Sequence, residues 1–141
     1  GGGIAGSSTA RALARRGASV VLLEQNTLTS GSTWHAAGLL GTSKGGPLIA
    51  TMAKYGRDLI SEMNDETGNS LVGWANTGSL GIARSGDSME TLARQYLMAQ
   101  GIGHTDQQLL SPAEVQEVHP FIADDGIVGG LYVPSDGICN P

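Results

Sequence analysis

The chain opens on Gly1-Gly2-Gly3-Ile4-Ala5-Gly6 and, after a run of ten residues ending at Arg16, reaches Gly17-Ala18-Ser19-Val20-Val21-Leu22-Leu23-Glu24. Gly1, Gly3 and Gly6 give the spacing G-x-G-x-x-G, which in dinucleotide-binding folds joins a buried strand to a helix. The residues that follow predict a helix over 4–16. Ala5, Thr9 and Leu13 recur every four residues with Ala10 and Ala14 beside them, while Arg11, Arg15 and Arg16 face water. Gly17 stands where a left-handed residue closes a helix, and the arginines before it complement the helix dipole. Residues 19–24, S-V-V-L-L-E, form a β-branched and nearly all-apolar run, the pattern of a strand buried on both faces. Glycine turn, helix and buried strand make two-thirds of a βαβ unit, and the strand expected before Gly1 is missing. The sequence therefore reads as an internal piece of a longer polypeptide.

Each position has a chemical reason. Gly1 permits the tight turn, Gly3 lets a pyrophosphate approach the backbone, and Gly6 lets helix and strand pack closely. The unpaired N–H groups at the helix start carry roughly half a positive charge toward the phosphates. Glu24, 18 residues after Gly6, ends the strand where an acid accepts hydrogen bonds from an adenosine ribose. The same acid repels a 2′-phosphate and argues against NADP. At this point FAD and NAD remain equally open, because both present an ADP half.

Composition narrows the classes. With 141 residues there is room for one domain at most, and 40% hydrophobic against 15% charged residues excludes a disordered chain. A net charge of -5, with Arg11, Arg15 and Arg16 the only basic cluster, argues against nucleic-acid binding. No apolar run approaches the length of a membrane span. The single Cys139 excludes an internal disulfide and suits a reducing compartment. Glycine is in excess, 22 of 141, without a collagen period, which places it at turns and close approaches.

Further along, residues 26–46 are rich in Thr, Ser and Gly, and a loop of that length in a compact domain is usually functional. Pro47 begins a helix whose apolar stripe Leu48, Met52, Tyr55, Leu59 and Met63 reads as its core face, with Gly68 closing it. Residues 71–76 and 79–83 read as strands joined by Thr77-Gly78. Asp87 and Glu90 open a helix to about Gln100. Ser111, Pro112 and Glu114 form a capping box, and His119-Pro120 ends the short helix that follows. Residues 127–133 make a last strand before the turn Pro134-Ser135-Asp136-Gly137.

Leu23-Glu24-Gln25 and residues 28–39, L-T-S-G-S-T-W-H-A-A-G-L, resemble the dimethylglycine dehydrogenase and sarcosine dehydrogenase family, flavoproteins of the D-amino-acid-oxidase-like fold. The resemblance continues through Gly78-Ser79-Leu80, Leu110-Ser111-Pro112, Gly130-Leu131-Tyr132 and Asp136-Gly137, and so covers essentially the whole chain. It implies an α/β fold: a Rossmann-like FAD-binding domain with the start of an interleaved substrate domain. Residues 1–46 would be the dinucleotide-binding portion and flavin loop, and 47–141 a helix with the beginning of the substrate region. The cofactor implied is FAD, held by Gly1, Gly3, Gly6, Glu24, Gln25, Ser30, Ser32, Thr33, Trp34, His35 and Gly38. In the family the histidine of this stretch is the covalent attachment point for the flavin 8α-methyl group, which here falls on His35. A neutral imidazole is a competent nucleophile. Gly31, Ala36, Ala37 and Gly38 are small enough for a flat ring to lie against the main chain, and Ser30, Ser32 and Thr33 offer donors to the pyrophosphate and ribityl chain.

The activity implied is FAD-dependent oxidation of an N-methylated amino acid, with hydride passing from the N-methyl carbon to flavin. The electron acceptor is not assigned. Tetrahydrofolate would enter through a domain outside this chain, and the compartment would be cytoplasmic in a bacterium or the mitochondrial matrix in a eukaryote. Two alternatives stay open. One is a non-catalytic flavin-binding regulatory or electron-transfer subunit of the same fold, against which the presence of His35 argues. The other is an NAD-linked dehydrogenase, against which the long loop after Glu24 argues. His104 and His119 read as polar surface or capping groups, Trp74 as a packed aromatic, Asp65-Glu66 and Asp124-Asp125 as solvated pairs, and Cys139 as no catalytic thiol. No metal-ligand spacing appears. Without its first strand, this 141-residue chain is expected to remain partly folded or to aggregate, and to bind FAD poorly. A cooperative melt of the monomeric chain would contradict that expectation.

Overall fold

A computed structural model describes residues 1–43, 45–68, 72–123 and 125–140. They fall into two compact units, Gly1–Gly38 and Leu39–Asn140.

The first unit holds helix α1, Ile4–Ala14, and a 3-10 turn, Thr33–His35. The glycine at 17 takes the left-handed conformation, φ 83°, as its place after the helix requires. Residues 19–24 depart from expectation. They are extended but pair with no strand among the described residues, and Val21 and Leu23 are 80% and 77% exposed. The physical reason is that an apolar run becomes a buried strand only beside another strand, and this unit supplies no edge to pair with.

The second unit is built on antiparallel pairing. Strands β2 (Ser79–Ala83), β3 (Gln108–Leu110) and β4 (Gly129–Val133) form a sheet in the order β2-β4-β3, with Ser79 opposite Val133 and Leu110 opposite Gly130. Two short strands, β1 (Leu39–Leu40) and β5 (Gly137–Ile138), pair separately. Of the strand expected over 71–76, residue 71 lies outside the described residues, and Ala75 makes a single bridge to Ile138. Helices α3 (Gly86–Gly101) and α4 (Pro112–Val118) pack on the three-stranded sheet. Leu110, Val115 and Ile127 form the core, with Leu80, Ile82, Ile122 and Tyr132 against it.

Both of these helices are capped by their own sequence. In α4 the Ser111 hydroxyl accepts the Glu114 amide at 3.4 Å, and the Glu114 carboxylate accepts the Ser111 amide at 2.7 Å. In α3 the cap is Ser85 with Ser88, so the helix begins at Gly86, just before the Asp87 and Glu90 that mark it in the sequence.

Helix α2, Pro47–Glu66, has the expected length but a different inward face. Leu48, Met52 and Tyr55 are 71%, 61% and 70% exposed, while Ala50, Arg57 and Asn64 are buried. These three lie seven residues apart, on one side of the helix. The rotation has polar causes. The Arg57 guanidinium reaches the Ser135 hydroxyl, and the Asn64 side-chain oxygen accepts the Trp74 amide at 3.1 Å. His104 is likewise buried rather than superficial. Burial holds its imidazole below the ordinary histidine range, and the positive charges of Lys54 and Arg57 push the same way.

Asp136 ties this unit together. Its carboxylate is 1% exposed and accepts the Thr42 amide and hydroxyl at 3.1 and 2.8 Å and the Ser79 hydroxyl at 2.6 Å. Its carbonyl accepts from the Gly78 amide and from Asn76 Nδ2, each at 2.8 Å. Replacing Asp136 by Ala strands the Thr42 and Ser79 donors without water. Asp136→Ala is expected to cost about 3 kcal/mol, read as a lowered urea midpoint of the full-length protein.

Candidate cofactor site

The glycine turn and α1 meet at a distance that only glycine allows. A Cβ on residue 6 would lie 1.9 Å from the Gly1 carbonyl oxygen and 3.5 Å from the Leu22 side chain. A Cβ on residue 3 would lie 3.0 Å from the Thr33 hydroxyl. Gly2, an unspecified position in the motif, is crowded as well, though by side chains that can shift: a Cβ there would lie 2.5 Å from Leu28 Cδ2 and 3.3 Å from Glu24 Cβ. The run of three glycines was the only sequence signal for that constraint.

Glu24 is fixed by the turn it faces. Its carboxylate accepts the Gly2 amide at 2.6 Å and the Asn26 amide at 2.9 Å. Those two bonds, the Gly2 one first, hold its carboxyl below the usual glutamate range. Gly1, Leu23, Glu24 and Gln25 line an open groove of about 470 Å³, within the ~300–1,000 Å³ common for small-molecule sites.

The loop after Glu24 folds back over the same turn. The Thr29 amide donates to the Gly2 carbonyl at 3.0 Å, with Thr29 in a left-handed conformation, φ 64°. That conformation is uncommon for a β-branched residue, and such strain collects at functional sites. Ser30 is exposed, Ser32 precedes the 3-10 turn without a side-chain cap bond, and the Thr33 hydroxyl accepts the Ile4 amide at 3.0 Å. Trp34 and His35 are exposed and in ring contact, centroids 3.9 Å apart and planes tilted by 36°. His35 Nδ1 lies 3.1 Å from the Gly31 carbonyl. A carbonyl only accepts, so Nδ1 carries the proton and the lone pair of the neutral ring is on Nε2. Gly38 closes the segment, buried and at φ 70°.

The N-terminus of α1 suits an anion. Gly3 gives it no side-chain cap, its first turn holds no acid, and its dipole points into the glycine turn. With an acid fixed beside the glycine turn and small residues along the loop, the residues present fit an ADP-containing cofactor. Among the described residues, no group of three His, Cys, Asp or Glu is placed to hold a metal ion. None of the helices among them is long and apolar enough to cross a membrane.

Over residues 1–141 the chain matches the family model described as FAD dependent oxidoreductase. The chain belongs to that family. Membership implies FAD as the cofactor and displaces the NAD-linked alternative. Among curated relatives, the mitochondrial sarcosine dehydrogenase of Homo sapiens is 37% identical over 143 residues, 100% of this chain and 15% of its own length. The mitochondrial dimethylglycine dehydrogenase of Rattus norvegicus is 36% identical over 100% of this chain and 16% of its own length. The mitochondrial pyruvate dehydrogenase phosphatase regulatory subunit of Mus musculus is 36% identical over 99% of this chain and 16% of its own length. The chain thus spans about a sixth of each. The crystal structure of L-proline dehydrogenase from P. horikoshii is similar at a TM-score of 0.89 and 25% identity, covering 100% of this chain and 37% of that one. The α/β fold class expected from the sequence is the fold of these relatives.

The tether between Glu24 and Gly2 makes the turn acid-sensitive. A carboxyl with a lowered folded pKa contributes above its ordinary range and loses that contribution as pH falls through the lowered value. Glu24→Gln is expected to weaken AMP binding to the full-length protein about tenfold at pH 7. Wild-type affinity should hold at mildly acidic pH and fall toward the variant's only below the usual glutamate range. Isothermal titration across pH checks both.

Proposed function

We propose that the chain is the cofactor-binding part of an FAD-dependent amine oxidoreductase acting on an N-methylated amino acid of the sarcosine or dimethylglycine type. The observation that carries this reading is His35. It sits in a loop of small residues that folds onto the α1 N-terminus, with Nδ1 committed to Gly31 and Nε2 left to react. Identities of 37% and 36% to sarcosine and dimethylglycine dehydrogenases support the substrate class.

In this reading the glycine turn and α1 hold the pyrophosphate, and Glu24 with Gln25 holds the adenosine ribose. Ser30, Ser32 and Thr33 serve the phosphate and ribityl chain, and Trp34 and Gly38 bound the ring site. His35 is the covalent attachment point, through Nε2. Bound FAD supplies the two-electron acceptor chemistry, and the chain's own residues bind and orient it. Tetrahydrofolate belongs to a domain outside these residues, and the compartment is the cytoplasm of a bacterium or a mitochondrial matrix.

A second reading, a non-catalytic flavin-binding subunit, is favoured by the 36% identity to a phosphatase regulatory subunit. Two measurements on the full-length protein separate the readings. Flavin is expected to stay with the acid-precipitated wild type and to leave with the supernatant of His35→Ala. Turnover of sarcosine or dimethylglycine with an artificial acceptor is expected above background. Retained flavin without turnover of any N-methyl amine would favour the subunit.

A further inference from the structure

The loop after Glu24 lies on the glycine turn with little burial to keep it there. Of residues 25–38 only Thr33 and Gly38 are shielded; the rest, Leu28 and Trp34 included, are exposed. A segment with so few buried apolar contacts opens at low cost in free energy. What closes it on the turn is the Thr29 amide donating to the Gly2 carbonyl at 3.0 Å, with the Leu28 side chain against Gly2.

The residue that makes the closing bond is also the strained one. Among the described residues Thr29 alone, glycines aside, has a positive φ, 64°. A Cβ in that region crowds the neighbouring carbonyl, and a branched Cβ is the least suited to it. The far end of the loop meets the same demand without strain, because the residue at φ 70° there is Gly38. With the amide of Thr29 held by Gly2, its φ sets the direction in which residues 30–35 leave. A relaxed φ carries them off the course that brings the Thr33 hydroxyl to the Ile4 amide.

We propose that residues 25–38 are a strap with Thr29 as its strained hinge, which relaxes open without ligand and is held shut by the bound cofactor. This rests on the reading of the site given above and adds a conformational cost to it. The observed affinity is the intrinsic one reduced by the fraction of molecules already closed.

The test uses the full-length protein in a His35→Ala background, freed of flavin, so that attachment obscures neither readout. FAD affinity is read by fluorescence titration. The open fraction is read as the rate of chymotrypsin cleavage after Leu28 or Trp34, with the products identified by mass. Thr29→Asn relieves the strain, because asparagine enters the left-handed region readily. It is expected to tighten FAD binding about fivefold and to slow cleavage about twofold, as follows when a roughly tenfold shift takes the closed form from about a tenth of the molecules to about a half. Thr29→Gly is expected to move both readouts the same way by less, since glycine also loosens the open form. It replaces the asparagine variant should that one fail to fold. Thr29→Val keeps the branched Cβ, loses the hydroxyl and is expected to match threonine in both. Unchanged affinity and cleavage in Thr29→Asn and Thr29→Gly would overturn the proposal, even with a raised melting temperature, since the strain would then be equal in both arrangements. So would weaker binding by Thr29→Val, which would make the hydroxyl and not the backbone responsible. Failure of the FAD reading shows separately, as no FAD binding by the protein with Thr29 intact, and the cleavage rates would still decide for or against the hinge.

Discussion

The Gly1 carbonyl occupies the space that any side chain on residue 6 would need, and the Gly1–Gly38 unit depends on that contact. It brings the start of α1 against the turn, so the helix dipole and the turn amides act on one place. Everything else in the unit reinforces the approach. Glu24 grips the Gly2 amide, Thr29 the Gly2 carbonyl and Thr33 the Ile4 amide, so two residues at the start of the unit, Gly2 and Ile4, are held from three points further along the chain.

The Leu39–Asn140 unit is organised by polar contacts to an unusual degree for a small domain. One apolar cluster, Leu110, Val115 and Ile127, lies against the three-stranded sheet, and Leu131 and Val133 of β4 are buried as well. Elsewhere the chain is gathered by a buried carboxylate at 136 and by Arg57, which joins α2 to the turn after β4. These contacts span 94 and 78 residues of sequence. They leave the apolar stripe on the first half of α2 facing outward.

What was legible in the sequence was local. The glycines before α1, the capping box at Ser111 and the proline that starts α2 each act within a turn or two of themselves, and each marks the start of its helix correctly. The inward face of α2 was not legible, because apolar periodicity counts methyl groups and the helix was rotated by Arg57 and Asn64. Strand 19–24 was overread for a related reason, since β-branched composition states a preference for pairing but supplies no partner. β1, β3 and β5 are two or three residues long and exist only through distant partners, so no local pattern announces them. At the candidate site, the sequence nominated the glycines, Glu24 and His35, and the structure brings the Glu24 carboxylate to the Gly2 amide. Gly2 was passed over because the motif leaves its position unspecified, and the bond from Thr33 to Ile4 joins segments that no spacing rule connects.

Helix α1 has eleven residues, and none of them is buried. A helix of that length, with no apolar face to bury, is marginal by itself in water. Its order is supported from outside, by the Thr33 hydroxyl that accepts the Ile4 amide. Cofactor affinity in this fold is then a net quantity. In the proposed reading, part of the free energy released when phosphate meets the helix is consumed in holding the helix together, and the remainder appears as binding. Substitutions that only raise the helix propensity of α1's exposed face, touching no ligand, act on the first of these amounts and so strengthen the second.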